Sequence, residues 1–196
     1  MKTIVKACVL GGFIGLVGCA HRYTVAFQDL SYPVATKKYD AGVVAVIDRS
    51  TLSNTIQIQS FMAGVGNKWE AQPGEMLKQV ADVELPQMFK YYRFSTDYQV
   101  ADQGRRRITL YMTVPSYAFQ DFHATITVHV IAYNRHKAVL FDKTYTESGF
   151  RQGAKMYWAG AFGMKSAMRQ SSLDAYKKVF ADMRADLRKV LDSGQS

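Results

Sequence analysis

Ile108-Thr109-Leu110-Tyr111-Met112-Thr113-Val114 alternates without a fault: every even position is apolar and every odd one carries a hydroxyl. Successive side chains of a strand point to opposite faces, so Ile108, Leu110, Met112 and Val114 share one side. Such a strand belongs in an antiparallel sheet with one covered face. The next segment keeps the period, with Phe122, Ala124, Ile126, Val128, Val130 and Ala132 as its inner row. Asn134-Arg135-His136-Lys137 then reads as a hairpin loop, and residues 138–149 as the returning strand. This β meander is the frame on which the rest of the chain is read.

Upstream, Gly42-Val43-Val44-Ala45-Val46-Ile47 is a continuous apolar run of strand length, suited to a central position in the sheet. Asp48-Arg49-Ser50 ends it. Ile56 and Ile58, flanked by Gln57 and Gln59, predict a half-exposed strand; residues 63–67 predict a turn, after which Trp69 packs back onto the core. A helix is expected after Pro73-Gly74, with Leu77, Val80, Ala81, Leu85, Met88, Phe89 and Tyr92 on one face. Pro86 interrupts that pattern and predicts either a kink or the start of a second helical piece. Residues 94–100 predict one more short strand.

Downstream, Gly149, Gly153, Gly160 and Gly163 interleave with Phe150, Met156, Tyr157, Trp158 and Phe162, which predicts a mobile, adhesive loop over residues 149–164. The last helix is expected over 166–191, capped by Ser166, with Tyr176, Val179, Phe180, Met183, Leu187, Val190 and Leu191 on its apolar stripe. Two amphipathic helices must both bury a face against the sheet. The expected fold class is therefore α+β: a two-layer sandwich of a mainly antiparallel sheet with two helices on one face, in the order β-α-β-β-β-α.

The N-terminal stretch is of another kind. Lys2 and Lys6 precede an uncharged, mostly apolar segment, residues 7–17, too short to cross a bilayer and laid out as an export signal. It ends in Leu16-Val17-Gly18-Cys19, which resembles the lipobox of bacterial lipoproteins. That resemblance implies cleavage between Gly18 and Cys19 and acylation of the Cys19 sulfur, each buried methylene adding about 0.8 kcal/mol of membrane affinity. Ala20, rather than aspartate, at mature position two points by the same resemblance to the outer membrane, and the domain is expected on its periplasmic face. The expected organisation is a signal peptide at 1–18, a lipidated tether at 19–41 and a single α+β periplasmic domain at 42–196.

Composition agrees with export. The two cysteines are Cys8, lost with the signal, and Cys19; the mature chain would hold no free thiol and no disulfide, which suits an oxidising compartment. The formal charge is +9, and loss of Lys2 and Lys6 leaves +7. An exported protein meets little nucleic acid, so the counterparts expected are an acidic envelope protein, anionic lipid or lipopolysaccharide. Arg105-Arg106-Arg107 is the sharpest basic run. It is either a solvated loop before a strand or a contact with such a counterpart. Phe150, Tyr157, Trp158 and Phe162 are the other candidate contact residues, since aromatic side chains suit both protein interfaces and headgroup regions.

At the level of layout, a lipobox followed by β-α-β-β-β-α, with Asp48-Arg49 after the first strand, is similar to small outer-membrane lipoproteins of the YajG type. It is also similar to LptE-like assembly lipoproteins and to auxiliary lipoproteins of envelope ABC transport systems. The resemblance implies a non-catalytic adaptor or accessory subunit and assigns no site residue. The competing expectation is a periplasmic lipid- or small-ligand-binding lipoprotein with a hydrophobic groove between helices and sheet.

Catalytic and cofactor patterns are missing from the sequence. His123 and His129 share a strand face but would stand roughly 20 Å apart, too far to hold one metal. Gly163-Met164-Lys165-Ser166 lacks the Gly-Lys junction of a phosphate loop, and Gly64-Val65-Gly66 lacks the third glycine of a dinucleotide site. There is no Gly-x-Ser-x-Gly elbow, and no carboxylate pair is placed across a cleft. The expectation is no enzyme, no metal and no cofactor beyond the lipid on Cys19.

Overall fold

The alternating stretch 108–114 lies within a strand more than twice as long. The structure, a computed structural model, describes residues 23–25, 27, 30, 37–58 and 69–193, with the side chains of 23–25 and 154–162 outside that description. The elements in chain order are β1 (Tyr23–Val25), β2 (Tyr39–Val46), α1 (Arg49–Ser53), β3 (Ile56–Ile58), β4 (Trp69–Ala71), α2 (Pro73–Met88), β5 (Phe89–Ser95), β6 (Arg106–Gln120), β7 (His123–Asn134), β8 (Val139–Ser148) and α3 (Gly153–Asp192).

The main sheet has the order β5-β2-β6-β7-β8. The meander β6-β7-β8 is antiparallel, while β2 runs parallel to both of its neighbours, β5 and β6. The α+β two-layer architecture stands, with α2 and α3 against one face. Leu77, Val80, Ala81 and Leu85 of α2 and Tyr176, Val179, Phe180 and Leu187 of α3 are fully buried there, with Val43, Ala45, Ile108, Leu110 and Met112 in the same core cluster. A small second sheet, β1-β4-β3, lies beyond the N-terminal end of α2. Residues 23–27, which the sequence suggests as a short strand within the tether, hold β1 at Tyr23–Val25, and Phe27 and Leu30 pack on the core.

Two details explain the sequence pattern. The run 42–47 is apolar throughout because β2 is covered twice: Val43 and Ala45 face the helices, while Val44 and Val46 pack against Ala101 and Tyr111 under the connection from β5 to β6. In β6 the pairing register shifts between Thr113 and Ser116, across Pro115, and the inward parity changes from Val114 to Tyr117 and Phe119. Proline has no N–H for the ladder, so an irregularity there is expected.

Three boundaries differ from the sequence reading. The first helix stops at Met88, so Phe89 and Tyr92 belong to β5 rather than to its apolar face, and the strand expected at 94–100 lies at Phe89–Ser95. Pro86 lies inside the last turn, so the helix runs only two residues beyond it, and the aromatic run that follows favours strand. The supposed loop 149–164 is helical from Gly153 onward, and Ser166 caps nothing because it lies inside α3. The turn expected at 63–67 is outside the described residues.

Helix α3 cannot be straight over its first half. The Gln152 N–H donates to the Phe122 carbonyl at 2.9 Å, and the Ala124 N–H donates to Ser171 Oγ at 2.8 Å. Phe122 and Ala124 are two residues apart, so Gln152 and Ser171 lie within about 15 Å of each other. A straight helix would separate them by about 28 Å. The helix therefore folds back between Gln152 and Ser171.

Asp48 closes β2 and starts α1. Its Oδ1 accepts from Ser50 Oγ at 2.6 Å and from the Thr51 N–H at 2.7 Å, and its Oδ2 accepts from the Tyr111 hydroxyl at 2.6 Å. The Ser50 and Tyr111 hydroxyls, with the Thr51 N–H, hold this carboxyl far below the usual carboxylate range. A depressed carboxyl contributes stability above its unfolded pKa and loses it as the pH falls toward its folded one. Asp48→Ala is expected to cost about 1 to 2 kcal/mol at neutral pH. In urea titrations that gap should hold down to about pH 5 and narrow steadily below pH 4.

Candidate functional site

The basic run occupies one end of the domain. Strands β2, β5 and β6 are parallel, so all three begin at this end, and the β7–β8 hairpin turns there as well. Arg105 is exposed and donates its backbone N–H to the Asp40 carbonyl at 3.2 Å; Arg106 and Arg107 open β6 opposite Ala41 and Gly42. The turn that delivers them depends on two glycines in close approach. Gly104 has φ of +90°, and a Cβ there would lie 2.5 Å from the Gly42 nitrogen. A Cβ on Gly42 would in turn meet the Gln103 carbonyl oxygen at 2.1 Å.

Clefts flank this turn on both sides. One, of about 530 Å³, is lined by Tyr39, Asp40, Ala41, Arg105, Arg106 and the end of α3 at Leu191 and Asp192. The other, of about 400 Å³, lies between residues 101–103 and strand β5, with Lys90, Arg93 and Asp102 on its walls. The acidic groups at this end have partners: Asp40 faces Lys90 Nζ at 3.9 Å, Asp102 faces Arg93 Nη1 at 3.6 Å, and Asp192 Oδ1 accepts from the Tyr39 hydroxyl at 3.4 Å. None of the guanidinium groups of Arg105, Arg106 and Arg107 pairs with a carboxylate among the described residues. Exposed Arg135 and Lys137 on the hairpin add to the same end, with Lys137 Nζ 5.2 Å above the Tyr98 ring.

Sequence reasoning singled out Arg105-Arg106-Arg107 but missed Lys90, Arg135 and Lys137, which are distant in the chain. Parallel pairing of β2 with β5 and β6 brings Lys90 to this end, while the antiparallel β6–β7 pair sets the hairpin with Arg135 and Lys137 beside Arg107. The aromatic candidates are not gathered here. Phe150, 66% exposed, lies at the opposite end of β8, its N–H donating to Asp174 Oδ2 at 3.0 Å and its ring 4.5 Å from Lys178 Nζ. Tyr157, Trp158 and Phe162 are on the folded-back part of α3, their side chains outside the described residues, and Gly18 and Cys19 lie outside it altogether.

His129 Nε2 meets Asp142 Oδ1 at 2.6 Å on the open sheet face, beside facing hydroxyl pairs Thr127–Thr146 and Thr125–Ser148. No group of three or more metal-ligating side chains is assembled among the described residues. No described helix is long and apolar enough to cross a membrane.

The fold and this end together define a two-layer α+β domain with a basic, cleft-bearing pole. No family model matches the chain, and no curated protein matches it. Among solved structures it is similar to protein XCC0632 from Xanthomonas campestris, described under the family model DUF330: 13% identity over 90% of this chain and 100% of that one, with a TM-score of 0.53. A second structure, described as an uncharacterized protein, aligns over 83% of this chain and 97% of its own at 14% identity and a TM-score of 0.43. At such identity the likeness to the Xanthomonas protein concerns the fold alone.

Proposed function

We propose that the chain is an outer-membrane lipoprotein, anchored through acylated Cys19, that acts as a non-catalytic adaptor or accessory subunit in cell-envelope transport or assembly. The observation that carries this is the stretch Leu16-Val17-Gly18-Cys19 behind a positive, then apolar, leader. The domain begins close to that anchor, since β1 starts at Tyr23, four residues after Cys19. The filled helix–sheet interface supports an adaptor over a ligand carrier: its lining side chains are buried, most of them to 0–1% exposure, and the two clefts described are open and charged. What such a molecule offers a partner is surface. Anchoring would concentrate that surface at the membrane and raise the effective concentration of partner contacts.

Metabolic labelling with an alkyne fatty acid tests the anchor. The wild-type chain is expected to take up label and to lack residues 1–18 by mass spectrometry. Cys19→Ala is expected to remain unlabelled and to keep its leader, running larger on a gel. Unlabelled wild-type protein with an intact N-terminus would overturn the reading.

A further inference from the structure

We propose that the pole where β2, β5 and β6 begin is a docking surface for an acidic protein segment, gripped by Arg105, Arg106, Arg107 and Arg135 with Lys90 and Lys137 at its rim. The inference deepens the adaptor reading and rests on it for its biological sense, but its test does not depend on the lipid at Cys19.

Three separate parts of the chain deliver these cations to one end, and the acids beside them are engaged by Lys90, Arg93 and Tyr39. The surplus is positive, which repels a second copy of the same pole and attracts carboxylates. The surface is concave. The cleft of about 530 Å³ carries Arg105 and Arg106 on its wall together with Asp40, which faces Lys90, and Asp192, which accepts from Tyr39; it admits a protruding carboxylate side chain, which a guanidinium grips through two parallel hydrogen bonds. A flat bilayer cannot enter such a cleft.

The pole is also remote from the anchor. Strand β1 is bonded to β4, which ends just before Pro73, whereas Phe89, directly after Met88, pairs with Tyr39 at the pole. The whole of α2, about 24 Å, separates the two ends. Residues 19–22 reach at most about 14 Å from Tyr23, too short to bring the anchor to the pole. The pole is left for a partner.

The experiment follows fluorescence anisotropy of a labelled oligoglutamate peptide with the purified full chain in detergent. Arg105→Glu/Arg107→Glu/Arg135→Glu is compared with Arg49→Glu/Arg151→Glu/Lys165→Glu, which makes the same change in net charge at exposed sites elsewhere. The pole variant is expected to bind about tenfold more weakly and with a flatter salt dependence, the other within about twofold of wild type. Sedimentation with phosphatidylcholine vesicles, with and without phosphatidylglycerol, is expected to be the same for wild type and pole variant. Equal loss of peptide binding in both variants would overturn the proposal, since net charge alone would then suffice. Loss of phosphatidylglycerol-dependent sedimentation with unchanged peptide affinity would also overturn it, in favour of a membrane surface. Should the triple variant fail to fold, Arg107→Gln alone is expected to weaken the peptide about threefold, and an unchanged affinity would sink the idea.

Discussion

Arg184→Ala is expected to lower the unfolding free energy by about 3 kcal/mol, near the low end of what removing one partner of a buried ion pair costs. Glu84 on α2 is 2% exposed, and its Oε2 lies 2.9 Å from Arg184 Nη1 on α3. The angle of that contact falls outside hydrogen-bond geometry, so Coulomb attraction alone offsets the desolvation of this oxygen. Taking the guanidinium away leaves a carboxylate sealed between two helices. Arg184 is itself 34% exposed, and water entering its place recovers part of the loss, hence the low end of the range. Urea titration should show the midpoint fall with an unchanged slope. Glu84→Met combined with Arg184→Met should recover most of the stability, because an apolar pair of similar shape carries no desolvation cost. If the double variant were as unstable as Arg184→Ala, packing rather than charge would explain the loss.

The second large effect concerns Gly149. A Cβ there would sit 1.9 Å from the Ser171 carbonyl oxygen and 2.6 Å from its carbonyl carbon, atoms of the α3 backbone that no rotamer change can move. Gly149 also donates its N–H to the Ala124 carbonyl at 2.8 Å, so it cannot slide away without releasing the edge of β7. Gly149→Ala must push α3 off the sheet and is expected to cost about 3 kcal/mol, the upper end for overpacking. Gly153 is the internal control. Its nearest neighbour to a new Cβ is Phe122 Cδ2 at 3.6 Å, an ordinary contact, and it occupies the first turn of α3. Gly153→Ala is expected to be neutral or to stabilise by about 0.5 kcal/mol through helix propensity. Thermal unfolding followed by circular dichroism should place Gly149→Ala well below the wild type and Gly153→Ala at or slightly above it. Similar midpoints for both would show that Ser171 yields.

These two glycines mark where reading from the sequence runs out. Both sit in a stretch of mixed glycines and aromatics, which local rules interpret as a mobile loop. The fold uses Gly149 as a contact point for the α3 backbone, and it carries Gly153 as an ordinary helical residue. The same limit applies at Pro86: local rules flag a kink or a new helix, but what the proline marks is a nearby end, because Phe89–Ser95 has a parallel partner waiting in β2.

What the sequence by itself determined is whatever depends on neighbours along the chain. Alternation over 108–114 and 124–132 committed both segments to strands and named their inner faces, because side-chain direction in a strand has period two whatever it packs against; Phe122, read as the head of the second row, sits instead in the turn before β7 with φ of +62°. The apolar run 42–47 implied a central strand, and the stripe from Tyr176 to Leu191 implied a helix laid on the sheet, both for the same reason. Only the tertiary structure decided that β2 runs parallel to β5 and β6, that α3 folds back beyond Gly153, and that Lys90, Arg107 and Arg135 meet at one pole. Those outcomes rest on pairings between residues far apart in the chain. Their free energies come from contact area and excluded volume, which no local pattern of residues encodes.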